Sequence, residues 1–207
     1  LPIGFMISNG YLTPPVLIDS PVACYDFSSL ELNDKGQHSA PEIDNILQDQ
    51  SRITPSIVAH IVDLSEGRAG VMVFTSTVRH AREVLSYLPS EFSMLVTGDT
   101  PSAQRDDIIA RFKKRKIKYL VNVSVLTTGF DAPHVDLIAL LRPTESVSLY
   151  QQIVGRGLRI SEGKKDCLIL DYTGLGHDLF SPEIGEKKPN KDSVAVEVAC
   201  PQCGHMN

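Results

Sequence analysis

Apolar residues in this chain fall into two kinds of run. Short blocks that are apolar almost throughout are Val71–Thr75, Phe92–Val96, Tyr119–Val123, Val135–Leu141 and Cys167–Leu170. Such blocks predict strands buried on both faces. Longer segments between them repeat apolar residues at helical spacing. Val78, Ala81, Val84, Leu85 and Leu88 predict a helix that closes at Pro89. Thr100-Pro101 predicts a helix opening, with Thr100 as N-cap and Pro101 in the first position, and Ile108, Ile109 and Phe112 on its apolar face. Ser146–Arg159 predicts a third helix with Leu149, Ile153 and Val154 inward. Two further helices are expected near Glu42–Gln48 and Ser56–Leu64. Buried strands separated by helix-sized segments predict a doubly wound parallel α/β sheet, with helices on both faces, from about residue 55 to 175. Function is expected on loops beyond the carboxyl ends of the strands. Residues 1–50 read as a connector with lead-in strands, and 181–193, with two prolines and Lys187-Lys188, as a linker.

Composition narrows the class only a little. Hydrophobic residues make up 42% and charged residues 22% of 207, which suits a globular chain and excludes collagen-like or largely disordered ones. The apolar runs fall short of the roughly 18 residues that span a bilayer. No basic-then-apolar leader pattern is visible, and Leu1 in place of an initiator Met leads to the expectation of a fragment. The net charge of −5 argues against nucleic acid, but its distribution argues the other way. Residues 111–165 hold eleven cations (Arg111, Lys113, Lys114, Arg115, Lys116, Lys118, Arg142, Arg156, Arg159, Lys164 and Lys165) against Asp131, Asp136, Glu145 and Glu162. That stretch is +7 and the rest −12, so it either offers a surface to phosphates or is a solvated face. Cys24 and Cys167 read as inert core residues, and nothing suggests a disulfide framework, so a reducing compartment is expected.

Four segments carry candidate chemistry. Gln152-x-x-Gly-Arg156-x-x-Arg159 puts two arginines on one helical face, with Gly155 leaving room for close approach. An arginine fork neutralises charge spread over a γ-phosphoryl group. Two arginines alone read first as scattered surface charge. Leu126-Thr-Thr-Gly-Phe-Asp-Ala-Pro133 follows a strand. There Gly129 suits a turn at a ligand, Asp131 suits a ribose hydroxyl, and Thr127 and Thr128 suit phosphate oxygens, although a polar turn capped by Asp explains the segment equally well. Val73-Phe-Thr-Ser-Thr77 ends a strand in hydroxyls, and Gly98 to Phe112 forms a strand–loop–helix unit.

Together and in this order, the four segments resemble motifs IV, IVa, V and VI of superfamily 2 helicases and translocases. Arg-Pro-Thr followed by Tyr-x-Gln-x-x-Gly-Arg-Gly-Leu-Arg resembles the branch of restriction translocases and XPB-like enzymes. The Tyr11-Leu-Thr-Pro-Pro15 entry and the Cys-Pro-x-Cys-Gly exit look most like RadD-type bacterial DNA-repair ATPases. The resemblance implies a second RecA-like lobe in which Arg156, Arg159 and Gln152 reach the γ-phosphate of ATP, while Gly129, Asp131 and Gly155 border the nucleotide. It places Thr75, Ser76, Gly98, Arg105 and Thr127 near the nucleic-acid backbone. Two departures stand out: Thr128 replaces a common motif V acid, and Asn122-Val-Ser124 stands where many relatives have a DNA-contacting Thr.

The chain contains no G-x-x-x-x-G-K-[ST] loop and no Asp-Glu-x-His box. ATP and Mg²⁺ are therefore expected to be held mainly by an upstream lobe, whose end would be residues 1–15 with the interlobe hinge. The second lobe would span 16–180, the linker 181–193, and the start of a zinc ribbon 194–207. In that last segment Cys200 and Cys203 are candidate Zn²⁺ ligands, with His205 a third at best, and the remaining ligands are expected beyond Asn207; a redox CxxC is the alternative. The implied partners are single-stranded or branched DNA and the upstream lobe, with no membrane, in a bacterial cytoplasm. Competing readings are a helicase-like binding module without turnover, a restriction-type duplex translocase, and a self-sufficient Rossmann enzyme, which would need a G-x-G-x-x-G that does not occur.

Overall fold

In the computed structural model, which describes residues 2–18, 22–33, 36–125 and 130–180, the all-apolar runs do become parallel strands. They are β2 (Val71–Thr75), β3 (Ser93–Val96), β4 (Tyr119–Val123), β5 (Leu137–Leu141) and β6 (Cys167–Asp171), and β1 (Pro15–Ile18) in the lead-in segment joins them. The sheet order is β1-β6-β5-β2-β4-β3, and every pairing is parallel. The helices are α1 (Ile3–Ser8), α2 (Ala40–Asp49), α3 (Thr54–Leu64), α4 (Val78–Tyr87), α5 (Ser102–Lys113) and α6 (Val147–Gly157).

The period-two alternation of a strand divides the core in two. Val71, Val73, Leu137, Ala139 and Leu141 face α2, α3 and α4. Met72, Phe74, Ile138 and Leu140 face α5 and α6. Right-handed crossovers dictate that division. Connections that step toward β3 cover one face, and those that step back toward β1 cover the other. Each fully buried aliphatic side chain contributes about 1.5–3 kcal/mol relative to exposure, so β2 and β5, buried along their whole length, anchor the sheet.

Several expectations need correction. The core extends upstream of residue 55: Tyr25, Phe27, Ile43 and Leu47 are buried in the α2–α4 face, so residues 22–50 are more than a connector. Thr100 does not cap α5. Its hydroxyl oxygen accepts the Thr97 N–H at 2.9 Å, and α5 starts at Ser102 without a side-chain cap. On α6, Tyr150 is buried and Leu149 lies at the margin. Cys24 is exposed and not part of the core, whereas Cys167 is buried. Lys164 is not a free surface cation. Its Nζ donates to the carbonyls of Pro133, Gly157 and Arg159 at 3.1, 2.5 and 2.8 Å. A cation there closes the carboxyl end of α6, where the helix dipole favours it. The proposed linker 181–193 and the zinc segment 194–207 lie outside the described residues, as do Thr127 and Gly129.

Candidate functional site

Helix α6 runs from the carboxyl ends of the strands to their amino ends. Ser146 caps its start by accepting the Leu149 N–H at 3.2 Å. Tyr150, Ile153, Val154 and Gly157 turn inward. Gly157 must be glycine, because a Cβ there would meet Cys167 Sγ and, at 2.8 Å, Ile138 Cγ1. That tight seat presses the last turn onto the first residues of β5 and β6. The opposite stripe carries Gln152 and Arg156, and Arg159 follows two residues past the helix end. Gln152 is exposed, and the two arginines are half-buried rather than in the core.

Gly155 lies on this outer stripe and differs from Gly157. A Cβ at Gly155 would meet nothing within 4 Å. Helical glycine costs roughly 0.5–1 kcal/mol relative to alanine, and packing within the described residues gives no return for it. Arg156 Nη1 donates to the Phe130 carbonyl at 2.7 Å, and Arg159 Nη1 is paired with the Asp131 carboxylate. Burial, then the neighbouring Arg159 cation, pulls the Arg156 pKa down, with Asp131 opposing. The Arg156 guanidinium still carries its charge at neutral pH. The arginine pair, Gln152, Gly155 and Asp131 therefore form one cluster. It lies at the amino ends of the strands, not beyond the carboxyl ends as the strand pattern alone led us to expect. The reason is that α6 is antiparallel to the sheet and carries its motif in its last turn.

The nucleic-acid candidates lie at the other end. Thr75 is buried, and its hydroxyl donates to the Asn122 carbonyl at 2.9 Å, which commits it to the sheet. Ser76 follows it, with its Oγ buried and unpartnered. Gly98 is exposed, with open space where a Cβ would be. Arg105 Nη2 donates to the carbonyls of Thr97, Gly98 and Thr100 at 3.2–3.3 Å, so this arginine shapes the loop that presents Gly98. Sequence reasoning quoted Arg142 but gave it no role. Arg142 leaves β5 beside Ser124, which leaves β4 with φ +50°. The available signal was an arginine directly after an all-apolar strand. Among the described residues, no cluster of three or more His, Cys, Asp or Glu could hold a metal, and Cys200 and Cys203 are outside them. No described helix is long and apolar enough to cross a membrane.

Comparisons with known proteins bear on the family and the fold. The chain is 46% identical over 79 residues to IRC3 of Saccharomyces cerevisiae, named as an ATP-dependent helicase, covering 38% of this chain and 12% of the relative. It is 39% identical over 110 residues to irc3 of Schizosaccharomyces pombe, named as a mitochondrial ATP-dependent helicase, covering 52% and 18%. The chain thus spans less than a fifth of either fungal relative. Its fold is that of an HsdR subunit fragment of a type I restriction enzyme from Vibrio vulnificus, with TM-score 0.63, 24% identity, and coverage of 86% of this chain and 36% of that one. The six parallel strands with helices on both faces are a RecA-like α/β fold. The helicase conserved C-terminal domain matches residues 54–161, from the start of α3 to just past Arg159. With the motif cluster, the fold and that match in agreement, the chain belongs to the helicase conserved C-terminal domain family.

Proposed function

We propose that this chain is the C-terminal motor lobe of an ATP-dependent superfamily 2 helicase or translocase that acts on DNA in repair. The observation that carries the reading is the outer stripe of α6. Gln152 and Arg156 on it, and Arg159 just past its end, flank a glycine whose Cβ would meet nothing within 4 Å among the described residues. A stripe of that kind suits an approaching triphosphate held on another lobe. Arg156 and Arg159 would reach the γ-phosphoryl oxygens, where arginine fingers act by stabilising charge in the transition state. Gln152 would contact the same phosphate. Asp131 holds Arg159 in place between encounters.

The chain has neither a phosphate-cradling loop nor an acidic Mg²⁺ box. ATP and Mg²⁺ would sit chiefly on a preceding lobe, and this chain alone would not hydrolyse ATP. Lobe closure on ATP and reopening after hydrolysis would shift the carboxyl-end loops along a bound strand. The repair assignment rests on the motif resemblance and the Tyr11–Pro15 entry. Zinc binding by Cys200 and Cys203 rests on their spacing alone. A non-hydrolysing module would lack the arginine pair, which is present here.

The test is Arg159→Ala in the complete protein, read as nucleic-acid-stimulated ATP hydrolysis. The turnover rate is expected to fall on the order of 10³-fold with nucleic-acid binding kept. A rate within about threefold of wild type rejects the finger role, because a finger supplies far more than that.

A further inference from the structure

The Tyr11–Pro15 segment touches the arginine motif directly. Helix α6 ends at Gly157, and Leu158 and Arg159 follow it. A helix leaves the carbonyls at its end without donors of its own. Thr13 supplies two donors there. Its N–H donates to the Leu158 carbonyl at 2.7 Å, and its hydroxyl donates to the Arg159 carbonyl at 3.2 Å. The Arg159 carbonyl also accepts from Lys164 Nζ at 2.8 Å. The backbone of Arg159 is thus held from two sides, while its side chain is paired with Asp131.

The residues around Thr13 stiffen this contact. Thr13 is only 5% exposed, so a hydroxyl left there without its partner would be costly. Pro14 follows it, which confines Thr13 to extended backbone. Neither Pro14 nor Pro15 carries an N–H, so Thr13 is the last main-chain donor before β1. The Pro14 carbonyl accepts the Cys167 N–H at 3.0 Å, and Pro15 pairs with Cys167 as β1 joins β6. Cys167 is also the residue against which Gly157 is seated. One short run therefore grips the end of α6 and the start of β6 together. Upstream, the Tyr11 N–H donates to the Met6 carbonyl at 2.8 Å, which ties the run by a tight turn to α1.

We infer that Thr13 is a positioning residue for Arg159. Its two hydrogen bonds set the backbone from which the Arg159 side chain extends, and so set where the guanidinium meets a γ-phosphoryl group. Because Thr13 sits in the segment that leads from α1 into the sheet, a shift of that segment would carry Arg159 with it. Misplacing a group by about 1 Å can cost on the order of 10²-fold in rate, so a buried hydroxyl gains leverage on turnover without touching ATP. The inference rests on the finger reading of Arg159 and adds a support that the arginine motif does not itself contain.

The experiment uses the complete protein at saturating nucleic acid and reads kcat and KM for ATP together with the denaturant midpoint. Thr13→Val keeps the shape and the main-chain N–H and removes the hydroxyl. It is expected to lower kcat about fivefold, the worth of one net hydrogen bond, with KM unchanged. Thr13→Ser, which keeps the hydroxyl, should restore kcat. In an Arg159→Ala background Thr13→Val should cause no further loss, because a residue that acts through Arg159 then has nothing left to place. A purely structural role would lower kcat equally in both backgrounds. That result, or a Thr13→Val kcat equal to wild type, overturns the inference and leaves the finger reading standing. If Thr13→Val fails to fold, Pro14→Ala decides. It keeps both Thr13 bonds but frees the backbone of Thr13, so kcat should fall with Arg159 present and not in Arg159→Ala. No fall, or the same fall in both backgrounds, overturns the inference. An Arg159→Ala rate near wild type rejects the finger reading itself, and the role of Thr13 goes with it.

Discussion

The arginine pair at the amino ends of the sheet and Arg142 at the carboxyl ends are held in different ways. At the amino ends, charged groups are closely partnered: Arg159 on Asp131, Arg68 on Asp166, Lys164 on three carbonyls. The Asp136 carboxylate accepts the N–H groups of Ala69 and Gly70 at 2.9–3.1 Å. At the carboxyl ends, among the described residues, Arg142 has only long polar contacts, the Ser76 hydroxyl has no partner, and Ser124 takes a left-handed backbone. The first end holds the arginine pair in a preset place, and the second holds Arg142 loosely. The motor lobe proposed above would need the first, since a finger works only if prearranged.

The sharpest test of this difference sits on one helix, at two glycines. Gly157→Ala forces a methyl group onto Cys167 and Ile138. It is expected to destabilise the protein by about 1–3 kcal/mol, the usual cost of overpacking. Gly155→Ala meets open space and should stabilise it by roughly 0.5–1 kcal/mol, while slowing ATP turnover by crowding the face offered to the triphosphate. Denaturant midpoints and ATPase rates of the two variants check both halves. Equal destabilisation would remove the argument that Gly155 is bare for an outside partner.

Acid should loosen the carboxyl end first. His80 opens α4 just beyond β2 and is fully buried, with its Nε2 2.9 Å from the Tyr25 hydroxyl. Burial, then the Arg79 cation, pushes its pKa down to about 3. A depressed folded-state pKa means stability is fully present above the unfolded value near 6.5 and is lost as pH falls toward 3. Between pH 7 and pH 5 this group alone should cost about 2 kcal/mol. The check is denaturant unfolding across that range in wild type and His80→Gln. A slope that survives the substitution unchanged would assign it to other groups.

These contrasts were legible in the chain to unequal degrees. Strands buried on both faces announce themselves as unbroken apolar runs, so β2, β4, β5 and β6 could be placed within two residues. Lone aromatics such as Tyr25 and Phe27 have no period and gave no sign of their burial. Helical spacing predicts Gln152, Arg156 and Arg159 on one face; in the structure Gln152 and Arg156 share α6, and Arg159 lies past its end, close enough to act on the Arg156 charge. The place of Arg142 beside Ser124 depends on register between β5, β2 and β4, which links residues far apart in sequence. Thr100 shows the limit of local rules. As a cap it was plausible, but the neighbouring Thr97 N–H competes for the same oxygen. Opposite packing at Gly155 and Gly157 is equally invisible without knowing what lies across from each.

A smaller effect is expected from Lys164→Met. It keeps the buried stem and removes the cation from the carbonyl of Gly157, which ends α6, and from those of Pro133 and Arg159. The loss should be about 1 kcal/mol in stability, within the range for a partly buried cation at a helix carboxyl terminus. Because the last turn carries Arg156, ATP turnover should fall together with stability. Turnover that holds while stability drops would mean that the arginine pair does not depend on the cap.

The smallest effect separates two roles for Asp131. Its pair with Arg159 is largely open to water, with side-chain exposures of 62% and 35%, and such pairs contribute under about 1 kcal/mol. If Asp131 restrains Arg159 until a γ-phosphate displaces it, Asp131→Asn frees the guanidinium. The KM for ATP in the complete protein should then fall, by no more than about fivefold, with kcat nearly unchanged. The change should shrink between 50 and 200 mM salt as the exposed charges are screened. If Asp131 instead serves the ribose, losing the carboxylate removes a contact to substrate and KM rises. The sign of that shift decides between the restraint seen in the structure and the ribose contact implied by resemblance. A rise would leave Arg159 as the finger but return Asp131 to the nucleotide.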